Sequence, residues 1–502
     1  MRAAIPAACG LVLTATFCFS GPKESSARAE GERTESRSEK RWGWLPSAFI
    51  EDKWHEASTA NFVLVTNASR DRAESIVLTL ERFRAALGQV LPEMRRWTSR
   101  RTRVFGFRDG ESFAPFLPRR PDETGSPVSG YFVTGSGDDL IALSLEGGPP
   151  AFERTLFHEY IHLVLSLNDL DLPLWLEEGL SELYAGSRLS EDEAEVGVPN
   201  PRHRALLARS PPIPLGKLLS AETSGDSAAL FYAESWALAH YLLVEKGEGP
   251  LGLARWLALD PSEIETAFAE YLRRSRWRSI QVELSPPDRA VAVARKLSPA
   301  EAHQRWGELL LSSSKLVEAE ACLEEAVRLD PGLGPAWESL GLLALEKADP
   351  ERAQLQMEKA IELGSASARG LTRYAEILIG DATTRVDSIP DDVARKARSA
   401  LRQSLALEPS ARRSLELLAF LYLVRGERLG EAESLIASAL SIAPGDPALL
   451  FLEGQLLAQR GEYDRAKESL ERAAATTEDA RLREEAKAFL ARMTAARRAP
   501  AR

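Results

Sequence analysis

The sequence predicts an α+β N-terminal part followed by an all-α solenoid. Three observations carry this. Short β-branched runs surround one long amphipathic stretch between residues 61 and 145. From "TLFHEYIHLVLS" (155–166) to about residue 280 the apolar spacing is mainly helical. Beyond residue 300 small residues recur with a period near 34.

Each segment has its own grounds. Arg2 is followed by "AAIPAACGLVLTATFCFS", and "ARA" ends at Ala29. This predicts a secretory signal over 1–29 and a chain exported to the periplasm or secreted; the alternative is an uncleaved N-terminal anchor. Ala15-Thr16-Phe17 is a poor context for lipid attachment at Cys18. The polar, charged residues 30–41 read as a flexible spacer. No other stretch carries 18 or more apolar residues, so no membrane span is expected in the body. With 44% apolar and 27% charged residues the 502-residue chain is ordinary globular material, and a net charge of −11 argues against nucleic acid as a partner.

A first domain is expected over 42–280. "NFVLVTN" (61–67), "TRVFGF", "GYFVTG" and "DLIALSL" (139–145) read as strands, and "RDRAESIVLTLERFRAALGQVL" (70–91) as a helix. "EGGPP" ends the last strand, which runs directly into the helix of residues 155–166. Residues 281–299 read as a linker, and "SEDEAEVG" (190–197) as a solvated loop.

The repeats occupy 300–495. Gly307, Gly341, Ala375, Ala419 and Gly454 form one series, and Ala319, Ala353, Ala397, Ala432 and Ala466 a second that tracks it. Pro331, Pro409 and Pro444 mark exit turns, and "DATTRVDSIP" lengthens the third unit. Small residues where paired helices cross, at this period, resemble the tetratricopeptide repeat. Residues 479–493 read as a capping helix. The resemblance implies a concave groove for a protein partner. Cys322, in "EACLEEA", reads as a packed helical residue.

Only six histidines occur, and His158 and His162 are four apart. On a helix that spacing points two imidazoles at one ion. Glu159 lies about 100° round from His158, where a base can act on a water activated by zinc. With cysteines at 9, 18 and 322 only, a metal site must use histidine and carboxylate. Zinc needs a third protein ligand. "NDLDL" is a polar turn, and "PLWLEEGLSELYAG" (173–186) begins a second helix, with Asp171 as a candidate N-cap. This helix returns Glu178 to the level of the histidines. Glu182, one turn on, can accept a hydrogen bond from a ligand histidine.

"HEYIH" followed by "WLEEGLSELY" resembles the gluzincin metallopeptidases of the peptidase MA group. The resemblance implies a zincin-like domain: a small mixed sheet, the active helix and a helical subdomain. It implies zinc on His158, His162 and Glu178, with Glu159 as general base. It favours Glu178 over Glu177 because Glu178 precedes Gly179. A metzincin pattern fails, since its third histidine would fall at Asn168. An edge strand that holds a peptide by main-chain pairing is also implied, and "DLIALSL" is the candidate. Tyr232 has two readings, an oxyanion donor from a later helix or half of a packed pair with Trp236. His240 reads as a surface or core histidine. The expected function is zinc-dependent peptide hydrolysis with a solenoid that binds a protein or peptide. The alternative is an inactive metallopeptidase-like scaffold whose repeats bind a partner.

Overall fold

The computed structural model describes residues 44–45, 49, 52–92, 94, 101–118, 129–133, 139–168, 172–221, 228–247, 261–284, 292–385 and 389–498. The expected leader, the spacer and Asp171 lie outside these. The chain divides into two compact units, Glu35–Ala319 and Glu320–Arg502.

In the first unit, β1 (His55–Ser58) and β2 (Phe62–Thr66) form an antiparallel hairpin. Ser69 caps α1 (Arg70–Val90), accepting a hydrogen bond from the Arg72 N–H. Ala73, Ile76, Val77, Leu80, Phe83 and Leu87 are buried at helical spacing. The helix carries the chain to β3 (Thr102–Phe107), which lies parallel to β2. A short helix (Gly110–Phe113) and a 3₁₀ turn (Ala114–Phe116) follow. Next come β4 (Gly130–Val133) and β5 (Leu140–Ser144). With β9 (Val293–Lys296) they form a six-stranded mixed sheet in the order β4-β5-β3-β2-β1-β9.

The sheet corrects two expectations. The "DLIALSL" strand, β5, is interior, between β3 and β4. Its first four residues are all buried, the mark of a strand covered on both faces. Among the described residues the edge on this side of the sheet belongs to β4. The expected linker over 281–299 contains strand residues at both of its described ends. β8 (Ile280–Glu283) pairs with β7 (Glu193–Val196), itself paired with β6 (Arg188–Leu189), and β9 pairs with β1. Four-residue strands give too few alternations to be read as a period. The expected loop "SEDEAEVG" thus contributes β7.

The helices that follow include α2 (Pro149–Leu167), α3 (Leu174–Ala185), α4 (Pro201–Leu207) and α5 (Ala228–His240). α6 (Pro261–Leu272) and β8 follow. The first repeat helix, α7 (Pro299–Ser312), also belongs to this unit. Its Trp306 is buried 4.7 Å from Phe49 and 5.4 Å from Trp54, ring to ring. Arg305 is paired with Glu56 of β1 and with Glu308, which also meets Arg103 of β3 at 3.2 Å. The break between units therefore falls within the repeat series, after Ala319, and not at residue 300.

The second unit is a run of helix pairs. α8 (Leu316–Leu329) leads into it, followed by α9 (Gly334–Glu346) with α10 (Pro350–Glu362) and α11 (Ala368–Arg385) with α12 (Asp391–Leu407). α13 (Arg412–Arg425) pairs with α14 (Leu429–Ile442), and α15 (Pro447–Gln459) with α16 (Tyr463–Thr476). α17 (Ala480–Arg498) packs on α16 at the end. The small-residue series sits at the crossings. Ala353, Ala375, Ala397, Ala419, Ala432 and Ala466 are fully buried. A Cβ on Gly341 would stand 2.7 Å from Met357 Cγ, and one on Gly454 2.6 Å from Leu470 Cγ. The insertion lengthens α11 to Arg385. Cys322 is buried, as its neighbours predicted. Among the described residues no helix is long and apolar enough to cross a membrane.

Candidate metal centre

The site begins with a rigid helix. Gly147 and Gly148, both with φ near +80°, turn the chain from β5 into α2, and Pro149 and Pro150 start it. Phe157 of α2 stacks on Phe83 of α1 at 3.9 Å, and Tyr160 meets Phe62 of β2 edge-on. These contacts bury one side of α2. His158, Glu159 and His162 lie on its remaining surface, and His162 is itself only 6% exposed.

The second arm is α3. Its N-cap residue is Pro173, in extended conformation with no side-chain cap. α3 packs between α2 and α5. Gly179 makes the approach to α5 possible, since a Cβ there would stand 2.5 Å from the Ser235 carbonyl oxygen. Its neighbour Glu178 is thereby directed toward α2.

His158, His162 and Glu178 each bring one ligand atom into a set lying within 4.8 Å of one another. His158 Nε2 and His162 Nε2 are 3.0 Å apart, and Glu178 Oε2 lies 3.5 and 3.6 Å from them. Tetrahedral zinc with bonds of about 2.0–2.1 Å would space its ligand atoms roughly 3.3 Å apart, inside this range. The other ring nitrogens face carboxylates. His162 Nδ1 lies 2.9 Å from Glu177 Oε1, and His158 Nδ1 lies 3.5 Å from Glu182 Oε1. In the neutral form that metal binding requires, the proton of each ring then sits on Nδ1. Both Nε2 lone pairs and a carboxylate oxygen therefore converge on one point. Among the described residues the buried Glu178 Oε2 has no hydrogen-bond partner. Three converging acceptors, one of them buried and unsatisfied, fit a cation.

The electrostatics follow from burial and from these pairs. Burial opposes charge on His162, but the Glu177 and Glu178 carboxylates outweigh it and lift the ring to about 9. Burial and the neighbouring His162 lower His158. Burial, with a smaller push from Glu178, raises Glu159 to about 7. Glu177 is lowered by its bond to His162.

Two residues join the site that the sequence reading did not place there. Glu177, weighed only as a rival ligand, instead orients His162. His203 of α4 lies with its Nε2 2.8 Å from Glu182 Oε2, and Arg154 donates to the same oxygen at 3.2 Å. Burial works against charge on Glu182, but His203, His158 and Arg154 outweigh it and lower its pKa. No spacing signal pointed to His203, because the contact depends on how α4 folds back. Phe132 of β4 lies flat against His162, 5.4 Å between ring centres and 3° between planes.

Tyr232 lies on α5, half-buried against the core, with its ring 6.0 Å from Phe231. Trp236, one turn on, stacks on Trp277 at 4.8 Å and borders His203 at 5.5 Å. His240 is a core histidine. It donates from Nε2 to the Gly197 carbonyl at 2.9 Å and accepts from the Tyr271 hydroxyl at 2.7 Å.

Residues 424–493 match the family model described as a tetratricopeptide repeat. No curated protein matches the chain. Among solved structures, YrrB, a TPR protein with an unusual peptide-binding site, is 21% identical, over 38% of this chain and 91% of its own, with a TM-score of 0.33. MamA is 20% identical over 36% of this chain and 96% of its own, with a TM-score of 0.29. PilF of Pseudomonas aeruginosa is 20% identical over 39% and 89%, with a TM-score of 0.30. The residues matched by the family model lie outside the first unit, whose reading rests on its own geometry. The C-terminal part of the chain carries tetratricopeptide repeats.

Proposed function

We propose that the first unit is a zinc-dependent peptide hydrolase of gluzincin type and that the repeats bind a protein or peptide partner. The convergence of His158, His162 and Glu178 around one point supports this most strongly. Those three residues would hold the ion. Zinc, when bound, supplies a Lewis acid that polarises a carbonyl and eases deprotonation of water. Glu159 takes the proton of the attacking water and passes it to the leaving amine. Glu177 and Glu182 orient the two histidines. The open edge of β4, rather than β5, pairs with an extended substrate. Tyr232 donates its hydroxyl to the developing oxyanion. The leader-like composition of residues 1–29 supports a site of action outside the cytoplasm.

The test is metal content and turnover of the full chain. Dialysed wild type retains about one zinc, as expected for three protein ligands with the fourth position left to water or substrate. Glu159→Gln keeps the zinc and loses at least about 100-fold in peptide cleavage. Equal cleavage by wild type and Glu159→Gln would remove the catalytic reading. The repeat match favours a second reading, a scaffold whose repeats bind a partner while the first unit carries no catalysis. Under that reading Glu159→Gln changes no phenotype, whereas changes in the repeats do.

A further inference from the structure

Among the described residues β4 is a four-residue strand with a single sheet neighbour, and all its residues are only partly buried. Such a strand is not held by sheet pairing alone. Consecutive side chains leave a strand on opposite faces. Phe132 goes toward α2 and lies on His162. Gly130 lets the strand start close to α2, since a Cβ there would stand 2.6 Å from Thr155 Cγ2.

Tyr131 goes the other way. Its hydroxyl donates to the Phe116 carbonyl at 2.8 Å and lies 3.0 Å from Ser313 Oγ, at the C-cap of α7. Each hydroxyl has one proton. Ser313 Oγ also lies 2.9 Å from the Leu309 carbonyl, to which it donates. The Tyr131 hydroxyl proton then lies between the Phe116 carbonyl and Ser313 Oγ, both within hydrogen-bond distance. Phe113 stacks on the Tyr131 ring at 6.0 Å, and Lys315 Nζ donates to the Pro115 carbonyl at 2.6 Å. Burial pushes the Tyr131 hydroxyl up to about 12, so the bond persists at neutral pH.

We propose that Tyr131 and Ser313 are positioning residues through which the first repeat helix holds β4 against the metal-ligand helix. The consequence for substrate rests on the hydrolase reading; the latch itself does not. Hydrogen exchange of peptides covering residues 129–133 tests it in the full chain, without added metal or substrate. In Tyr131→Phe and in Ser313→Ala, exchange there should accelerate about fivefold, with β3 unchanged. Ser313→Thr, which keeps the hydroxyl, should restore protection. For a cleaved peptide, KM should rise several-fold while kcat and zinc content stay near wild type. Wild-type protection in both hydroxyl-deleted variants would overturn the proposal. A wild type without zinc or turnover, but with β4 exchange still responding to Ser313→Ala, would overturn the hydrolase reading and leave the latch standing.

Discussion

Replacing Gly179 by alanine probes the packing that places Glu178. The new Cβ would meet the Ser235 carbonyl oxygen at 2.5 Å, its carbon at 3.0 Å and Ala239 Cβ at 3.1 Å. Ordinary contact begins near 3.5 Å, so α3 and α5 must part by roughly 1 Å. The obstacle is backbone, which has no rotamer to change. Overpacking of this kind costs about 1–3 kcal/mol. Without the clash the sign reverses, because alanine is better than glycine inside a helix by about 1 kcal/mol. The sign of the change is therefore diagnostic. A cost of about 2 kcal/mol in a unit of this size lowers Tm by about 3 °C, measurable by calorimetry. Zinc ligands tolerate distance errors of only about 0.2 Å, so a shift of roughly 1 Å beside Glu178 should also weaken zinc at least about tenfold in a chelator competition. A variant as stable as wild type or more so, with unchanged zinc affinity, would refute the argument.

Other substitutions separate the roles at the site. Glu178→Ala removes a ligand and should weaken zinc by several orders of magnitude, whereas Glu177→Ala removes only the support of His162 and should cost about 10–100-fold; equal losses would refute the assignment. His240 gives a pH signature away from the metal. Burial lowers it to about 4 from an ordinary 6.5, so the unfolded chain takes up the proton first. The stability it contributes is complete above pH 6.5 and is lost as pH falls toward 4, by up to about 3 kcal/mol. His240→Asn should flatten the decline in unfolding free energy between pH 7 and 4.5, and identical slopes in both proteins would overturn this account.

The parts legible in the sequence were those with a long period or a chemical spacing. The alanine and glycine series ran through five units; Gly341 and Gly454 proved to be close helix approaches, and the alanines proved buried. His158, His162 and Glu178 were readable because a helix repeats every 3.6 residues and a short turn returns the next helix alongside. Strands β8 and β9 were not, because "IQVE" and "VARK" are short, charged and paired with segments far away. The edge strand was misassigned for a related reason. "DLIALSL" is the more apolar run, and apolar character marks an interior strand, whereas the partly exposed "GYFV" fits an edge. His203 and the orienting role of Glu177 belong to tertiary folding, which no local spacing encodes.

The pairing of β1 with β9 has a temporal consequence. Glu56 and Arg295, adjacent across that pair, are 239 residues apart in the chain. At about 5–20 residues per second, synthesis separates them by roughly 10–50 s. Throughout that interval β1 can pair with β2, yet its outer edge has no partner from its own chain. Unpaired edges recruit foreign strands. The nascent protein therefore carries a bare β1 edge until β9, just ahead of the first repeat helix, has been made.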